Sequence, residues 1–242
     1  MSTVAHVPRI YRAGHLAPGP LLIDGELARR LAAVMRVRSG EEFRLFAGDG
    51  REWQATVTDV GRQAIRVDVG AVTRQEPPAQ LAVEIWVGLV RANRFDWTVE
   101  KCTEAGADVI RPLVSEYSAR GEGPSSGRAE RWQRIAVEAA EQSARLYLPA
   151  IEPIATLDDL LSRHHGSVLL ADAGGSPWVQ TVPILPAEGR IALIVGPEGG
   201  LSPEEVARSR ARGALVVSLG PNILRTETAA VVAVGLVRSA RR

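Results

Sequence analysis

The sequence predicts an α/β protein in two parts, a small β-rich domain over residues 1–76 and a larger domain over 77–242 built on a parallel sheet. Three observations carry this. The first part holds short alternating or β-branched segments separated by glycine turns. Gln75-Glu76-Pro77-Pro78-Ala79-Gln80 then interrupts the pattern, because Pro-Pro extends neither helix nor sheet. Beyond it, apolar runs alternate with amphipathic stretches, the signature of parallel strands covered on both faces.

Taken in order, Glu42 to Phe46, Trp53 to Val57 and Ala64 to Val69 read as strands, with Ala47-Gly48-Asp49-Gly50 and Val60-Gly61-Arg62 as their turns. One helix interrupts them, carrying Leu27, Leu31, Val34 and Met35 at helical spacing. A small barrel is the natural closure for so many short strands. After the Pro-Pro break, Leu81 to Val90 is a buried-strand candidate, and Asn93 a candidate cap for a helix running to Gly106, with Asp96 in its first turn. Val109 to Val114, Ser167 to Ala171, Ile191 to Val195 and Ala214 to Leu219 read as further strands. Arg128 to Ala144 and Thr226 to Val237 read as helices, and Gly121 to Gly127 and Ala173 to Arg190 as loops.

Composition excludes several classes. No apolar run approaches the roughly 20 residues needed to span a bilayer. His6, Pro8 and Arg9 interrupt the N-terminus where a signal peptide needs an apolar core, so a cytoplasmic protein is expected. Cys102 is the only cysteine, which rules out an internal disulfide and a multi-cysteine zinc site; it reads as a small core residue. His164-His165 reads as a solvated helix end, Asp158-Asp159 as helix capping after Thr156, and no metal is expected. Of the 29 basic residues only Lys101 is lysine, yet the net charge is +1, so charge alone does not point to nucleic acid.

The chemistry lies in two consecutive units of one plan: apolar strand, Gly-Pro, short loop, helix. The first is Ile191 to Val195 followed by Gly196-Pro197-Glu198-Gly199-Gly200 and a helix start at Ser202-Pro203-Glu204-Glu205, which completes a capping box. The second is Val216 to Leu219, then Gly220-Pro221-Asn222-Ile223-Leu224-Arg225 and the Thr226 helix. Glycines let main chain approach a flat ligand, and prolines hold the amides and carbonyls already aimed. Neither loop has a phosphate-binding pattern, since G-x-G-x-x-G and G-K-[ST] are both missing. Either loop alone reads as a tight turn; together, with Glu198, Arg225, Thr226 and Glu227 between them, they read as a ligand site at the carboxyl ends of strands.

These elements, GPEGG and L-x-x-x-x-LRTETA, resemble the C-terminal motifs of the SPOUT superfamily, and within it the 16S ribosomal RNA uridine-N3 methyltransferase family (RsmE). Glu100 to Ala107 resembles that family's Q-K-x-x-E-L-G-V segment, Glu138 to Arg145 its E-A-x-x-Q-x-x-R helix, and Val34 to Glu41 its V-L-R-x-x-x-G-D. Three places depart from the pattern. Arg29-Arg30 stands near a usual histidine, Tyr117 ends the S-E-R tripeptide, and Arg91 to Asp96 replaces a G-D-R-M-type stretch.

The resemblance implies a trefoil-knotted methyltransferase domain preceded by a PUA-like barrel, acting as a homodimer on 16S ribosomal RNA or the small subunit. It implies S-adenosylmethionine held by Val195, Gly196, Pro197, Glu198, Gly199, Gly200, Leu219, Gly220, Leu224, Arg225 and Thr226. Glu198 and Glu227 become candidates for orienting or general-base work, and Arg225 for stabilising charge on uracil oxygens. Glu198 can equally satisfy loop amides, and Glu227 can equally complement the helix dipole. Arg9, Arg36, Arg94, Gln142 and Arg145 are the RNA-binding candidates; Gln142 and Arg145, a helical turn apart, also fit a solvated face. The near-uniformly apolar Thr226 helix suits a dimer interface.

Overall fold

The computed structural model describes residues 7–118 and 127–240. His6 and residues 121–126, most of the loop expected at Gly121 to Gly127, lie outside the described residues. The chain packs as two compact units: residues 1–78 with 140–147, and residues 79–139 with 148–242. Segment 140–147, which the sequence places in the second domain, therefore packs with the first.

The first unit comprises β1 (Arg9–Tyr11), β2 (Gly19–Ile23), α1 (Gly25–Arg29), β3 (Glu42–Phe46), β4 (Arg51–Val60) and β5 (Ile65–Gln75). They form one five-stranded sheet in the order β1-β3-β4-β5-β2, parallel only between β1 and β3. Register shifts along β4 and β5 mark bulges, which bend long strands around a core. Phe43, Leu45, Ala55, Val57, Val67 and Val69 point inward, with Leu31 beneath them. After α1 the helix widens into a π-type turn over Arg30–Val34. This slip in period leaves Val34 75% exposed, although its spacing predicted a buried position.

Arg9 holds this unit together. Its Nε donates to Glu52 at 2.6 Å, Nη1 to the carbonyls of Ala140 and Glu141, and Nη2 to the carbonyl of Arg145. The guanidinium thus caps the orphan carbonyls ending a helix. With Arg9 and Glu52 each 10% exposed at the side chain, the pair is internal. The expectation that Arg9 contacts RNA is corrected accordingly: its donors are directed into the protein. Glu141 Oε1 accepts from the Tyr11 amide and from Arg30, binding the same segment from a second side.

The second unit begins with β6 (Leu81–Gly88), α2 (Ala92–Ala105), β7 (Val109–Val114) and α3 (Arg128–Gln142), of which residues up to Ala139 belong here. It continues with β8 (Ala150–Ile151), β9 (Ala155–Thr156), α4 (Leu157–Arg163), β10 (Ser167–Pro177) and α5 (Trp178–Thr181). The last elements are β11 (Gly189–Val195), α6 (Pro203–Ala211), β12 (Leu215–Ser218) and α7 (Thr226–Ala240). All seven strands pair in parallel, in the order β12-β10-β11-β6-β7-β8 with β9 also on β7. One face packs Val83, Ile85, Leu193 and Val195 against Phe95, Val99 and Cys102 of α2 and Ala230, Ala233 and Val234 of α7. The other packs Trp86, Leu170 and Ile194 against Leu157, Leu160 and Leu161 of α4. Each fully buried Leu, Ile or Val contributes roughly 1.5–3 kcal/mol.

Three local expectations change. Arg91, not Asn93, precedes α2, and no side chain caps it; Gly106 ends that helix at φ +105. Ala173 to Arg190 is not a plain loop, because β10 continues to Pro177 past a register shift and α5 follows. His164 is not solvated. Its side chain is 4% exposed, with Nδ1 3.7 Å from Glu84 and its ring edge-on to Trp86. Among the described residues no helix is long and apolar enough to cross a membrane.

Both internal side chains, Arg9 and His164, can be tested. Arg9→Ala should cost about 3–5 kcal/mol, the usual penalty for orphaning one partner of an internal ion pair, read as a lowered urea midpoint. An unchanged midpoint would remove Arg9 from the framework. Burial lowers the His164 pKa below its ordinary 6.5, against the pull of Glu84. The unfolded chain then takes up a proton that the folded chain resists, so stability falls as pH drops through about 6.5. His164→Asn should flatten that loss in urea titrations between pH 7.5 and 5.5.

Candidate active site

Four strands of the second unit end along one edge: β6 at Gly88, β10 beyond Ala171, β11 at Val195 and β12 at Ser218. β11, buried throughout its length from Ile191, lies between β10 and β6 and delivers 196–200 to the middle of that edge. Here main chain meets main chain. A Cβ on Gly88 would fall on the Pro197 nitrogen, and one on Gly196 would lie 2.8 Å from the Gly200 carbonyl carbon. Gly200 adopts φ +74 and donates its amide to the Pro197 carbonyl at 2.8 Å, closing the GPEGG turn.

α6 starts where the sequence predicts, with both halves of the capping box formed by Ser202 and Glu205. Glu205 also reaches across to a neighbouring loop. Its other oxygen accepts from the Glu116 amide at 3.0 Å, which ties the loop after β7 to this helix start. The second loop is joined to the first by Thr226, whose buried Oγ1 donates to the Gly196 carbonyl at 3.0 Å. Leu219 and Leu224 turn inward onto the core.

Between the 218–224 loop and the end of β10 lies a hollow of about 110 Å³ lined by Ala171, Asp172, Leu219, Gly220, Asn222 and Leu224. A second hollow of about 510 Å³, reaching Gly175 and Trp178, adjoins the same 218–223 segment. Alanine and glycine alternate with Leu219, Asn222 and Ile223 in both walls. Asp172 and Trp178 were not anticipated, because β10 ends without the Gly-Pro punctuation that marked its neighbours. Their only signal is that β10 is itself a strand of the parallel sheet.

The charged candidates have distinct surroundings. Glu198 forms an ion pair with Arg94 of α2, so two residues assigned separately to catalysis and RNA binding meet. Glu227, 9% exposed, has an Oε2 with no hydrogen-bond partner among the described residues. Unsatisfied buried carboxylate oxygen is costly, and such a group marks a place where a donor is missing. Arg225 is exposed and its guanidinium has no partner among the described residues. Arg36, exposed at φ +54, belongs to the first unit with exposed Gln142 and half-buried Arg145. Burial raises the Cys102 thiol pKa well above its usual range, which leaves it an inert core group. No cluster of three or more His, Cys, Asp or Glu among the described residues could hold a metal ion.

Residues 77–238 match the family model described as RNA methyltransferase domain, and residues 23–70 match that of the RNA methyltransferase PUA domain. The chain is 34% identical to ribosomal RNA small subunit methyltransferase E of Mycobacterium tuberculosis, over 89% of this chain and 85% of the relative. It is 29% identical to the protein of that name from Bacillus subtilis, over 89% and 88% of the two chains. Among solved structures, a methyltransferase from Legionella pneumophila with bound S-adenosylmethionine superposes with a TM-score of 0.88 at 29% identity, covering 98% of each chain. Ribosomal RNA small subunit methyltransferase E from Neisseria gonorrhoeae, also bound to S-adenosylmethionine, gives 0.83 at 28% identity over 97% and 98%.

The glycine contacts are directly testable. Gly88→Ala should force the 196–200 loop off the end of β6 at a cost of about 1–3 kcal/mol, seen as a thermal midpoint several degrees lower. A midpoint equal to wild type would show that the loop tolerates displacement.

Proposed function

The chain belongs to the RNA methyltransferase family of ribosomal RNA small subunit methyltransferase E, and from that premise we propose that it methylates N3 of a uridine in 16S ribosomal RNA, using S-adenosylmethionine. One observation carries the reading: two Gly-Pro loops at the carboxyl edge of a parallel sheet are tied by Thr226 to Gly196, the second of them borders a hollow at the end of β10, and Glu227, next to Thr226, keeps an unmet acceptor.

The residues present fit the cofactor. A Cβ at Gly196 would strike its own loop, Gly200 takes a left-handed conformation, and Gly220 opens the second loop at φ +150. Val195, Gly196, Pro197, Gly199, Gly200, Leu219, Gly220, Leu224, Arg225 and Thr226 form the cradle for adenosine and methionine groups, recognised mainly through main chain. When bound, S-adenosylmethionine supplies a methyl group on a positively charged sulfur.

Alignment and proton removal are left to the protein. Uracil N3 carries a proton that must leave as the nitrogen–carbon bond forms and the carbon–sulfur bond breaks. Glu227 takes that proton, because its carboxylate lacks a donor that Glu198 already has in Arg94. Arg225, exposed beside the Thr226 helix start, stabilises negative charge developing on the uracil oxygens. Glu198 and Arg94 brace the GPEGG loop against α2.

We assign the first unit as a PUA-like barrel that holds RNA through Arg36, Gln142 and Arg145. We assign the trefoil knot to the second unit; in support, α7 follows edge strand β12 and packs on the central strands β6 and β11. Thr228, Val231, Val232, Gly235 and Leu236 leave a half-buried, mostly apolar face on α7 that supports homodimer formation. The setting is cytoplasmic, with ribosomal RNA or the small subunit as substrate.

Nucleoside mass spectrometry of 16S RNA from a deletion strain should lack 3-methyluridine, with restoration by the plasmid-borne gene. Persistence of that nucleoside in the deletion strain rejects the assignment. With purified protein, Glu227→Gln should slow methyl transfer by about 100-fold or more, while cofactor affinity stays within a few-fold of wild type. Glu198→Gln should slow transfer less and weaken cofactor binding more; the reverse order would exchange the two roles.

A further inference from the structure

We propose that Tyr117 is a stacking platform for an unpaired RNA base at the mouth of the GPEGG loop, and so a substrate-positioning residue. The inference rests on the RNA methyltransferase reading and adds a residue that sequence motifs do not assign to that role.

The geometry begins with Gly199. A Cβ built there would lie 2.9 Å from Tyr117 Cβ, 3.4 Å from Cγ and 3.6 Å from Cδ2. The root of the ring therefore rests on the one residue type that leaves it room, in the middle of the methyl-donor loop. Tyr117 nevertheless remains 47% exposed, and its hydroxyl has no hydrogen-bond partner among the described residues. An aromatic group seated against backbone on one side and open on the other is placed for a second flat partner.

Its backbone is held firmly. The Ser115 amide donates to Ser118 Oγ at 2.9 Å, and the Ser118 amide donates to the Ser115 carbonyl at 3.1 Å. Between them the Glu116 amide donates to Glu205, whose other oxygen caps α6. The turn presenting Tyr117 is thereby anchored to the helix that follows GPEGG. A ring held in this way loses little freedom when a base stacks on it, which favours binding.

The chemistry also suits the substrate. Sequence-specific RNA recognition targets unstacked bases, which stack on aromatic or guanidinium planes. To reach N3 of a uracil, the enzyme must take a base whose Watson–Crick edge is unpaired. Where the family pattern has an arginine, this chain has a tyrosine, which trades charge for a neutral π surface. The ring's position on Gly199 places this surface beside the GPEGG loop.

The test compares wild type, Tyr117→Phe and Tyr117→Ala in three measurements: affinity for 16S RNA in saturating S-adenosylmethionine, cofactor affinity, and kcat against KM for RNA. Tyr117→Ala should lose about 10- to 100-fold in RNA affinity and raise KM correspondingly, the range found when one stacked base loses its partner. Tyr117→Phe should stay within about two-fold of wild type on the same stacking argument, and cofactor affinity should hold in both variants. The inference is overturned if alanine leaves RNA affinity and KM unchanged. It is also overturned if phenylalanine fails as badly as alanine, or if cofactor affinity falls in step with RNA affinity, which would make Tyr117 a prop for the loop. The functional reading is judged separately in the same samples: tyrosine-dependent RNA binding by a wild type that forms no 3-methyluridine would sink that reading and leave the stacking role standing.

Discussion

The hydrogen bond from Thr226 Oγ1 to the Gly196 carbonyl, 3.0 Å long, joins the two Gly-Pro loops of the candidate site. It forms only because strand ends approach without intervening side chains. Gly88 lets the GPEGG turn settle on the end of β6, and Gly175 lets β10 rejoin β12, where a Cβ would meet the Val217 backbone at 2.6 Å. Through this contact the start of α7 is set against a loop made thirty residues earlier. The helix is then free to fill the sheet's core face with Ala230, Ala233, Val234 and Val237. Packing of the hydrophobic core and shaping of the site are therefore one event. A change that parts the loops also lifts the helix.

Three glutamates near this edge show how surroundings divide the work of one side chain. Glu205 is buried and satisfied by main-chain amides, so it serves as a mechanical link between a helix start and the 115–118 turn. Glu198 is balanced by the Arg94 guanidinium and fixes the loop's outer side. Glu227 alone of the three keeps a buried oxygen without a donor among the described residues. A carboxylate in that condition gains most from a ligand that brings a proton or a positive charge. The difference is one of partners, since all three have the same intrinsic chemistry.

Much of this was legible in the sequence because it is local. The Ser202 capping box, the Thr156 cap of α4 and the Gly-Pro terminations of β11 and β12 are written within a few residues, and the structure places them as expected. What could not be read depends on distant partners. Arg9 looked like a free cation until its acceptors at Ala140, Glu141 and Arg145 were in view. His164 looked solvated because its partner Glu84 lies on another strand, and the Asp172 rim depends on where β10 ends in space. Asn93 had the right chemistry for a cap, but the backbone entered α2 two residues earlier. Candidate residues on punctuated loops can be read from the sequence, whereas residues brought in by sheet order cannot.

The first unit is discontinuous in sequence, and this bears on how it is made and inherited. Its last strand ends at Gln75, yet its closing segment runs only to Tyr147, whose hydroxyl donates to the Glu76 carbonyl. A nascent chain must therefore synthesise β6, β7 and most of α3 before the Arg9 guanidinium can reach its carbonyl acceptors. The two units mature in an interleaved order, not one after the other. The same stitching keeps the N-terminal part from being exchanged as a self-contained cassette: a recombination at the Pro-Pro break would deliver a fold missing its own clasp.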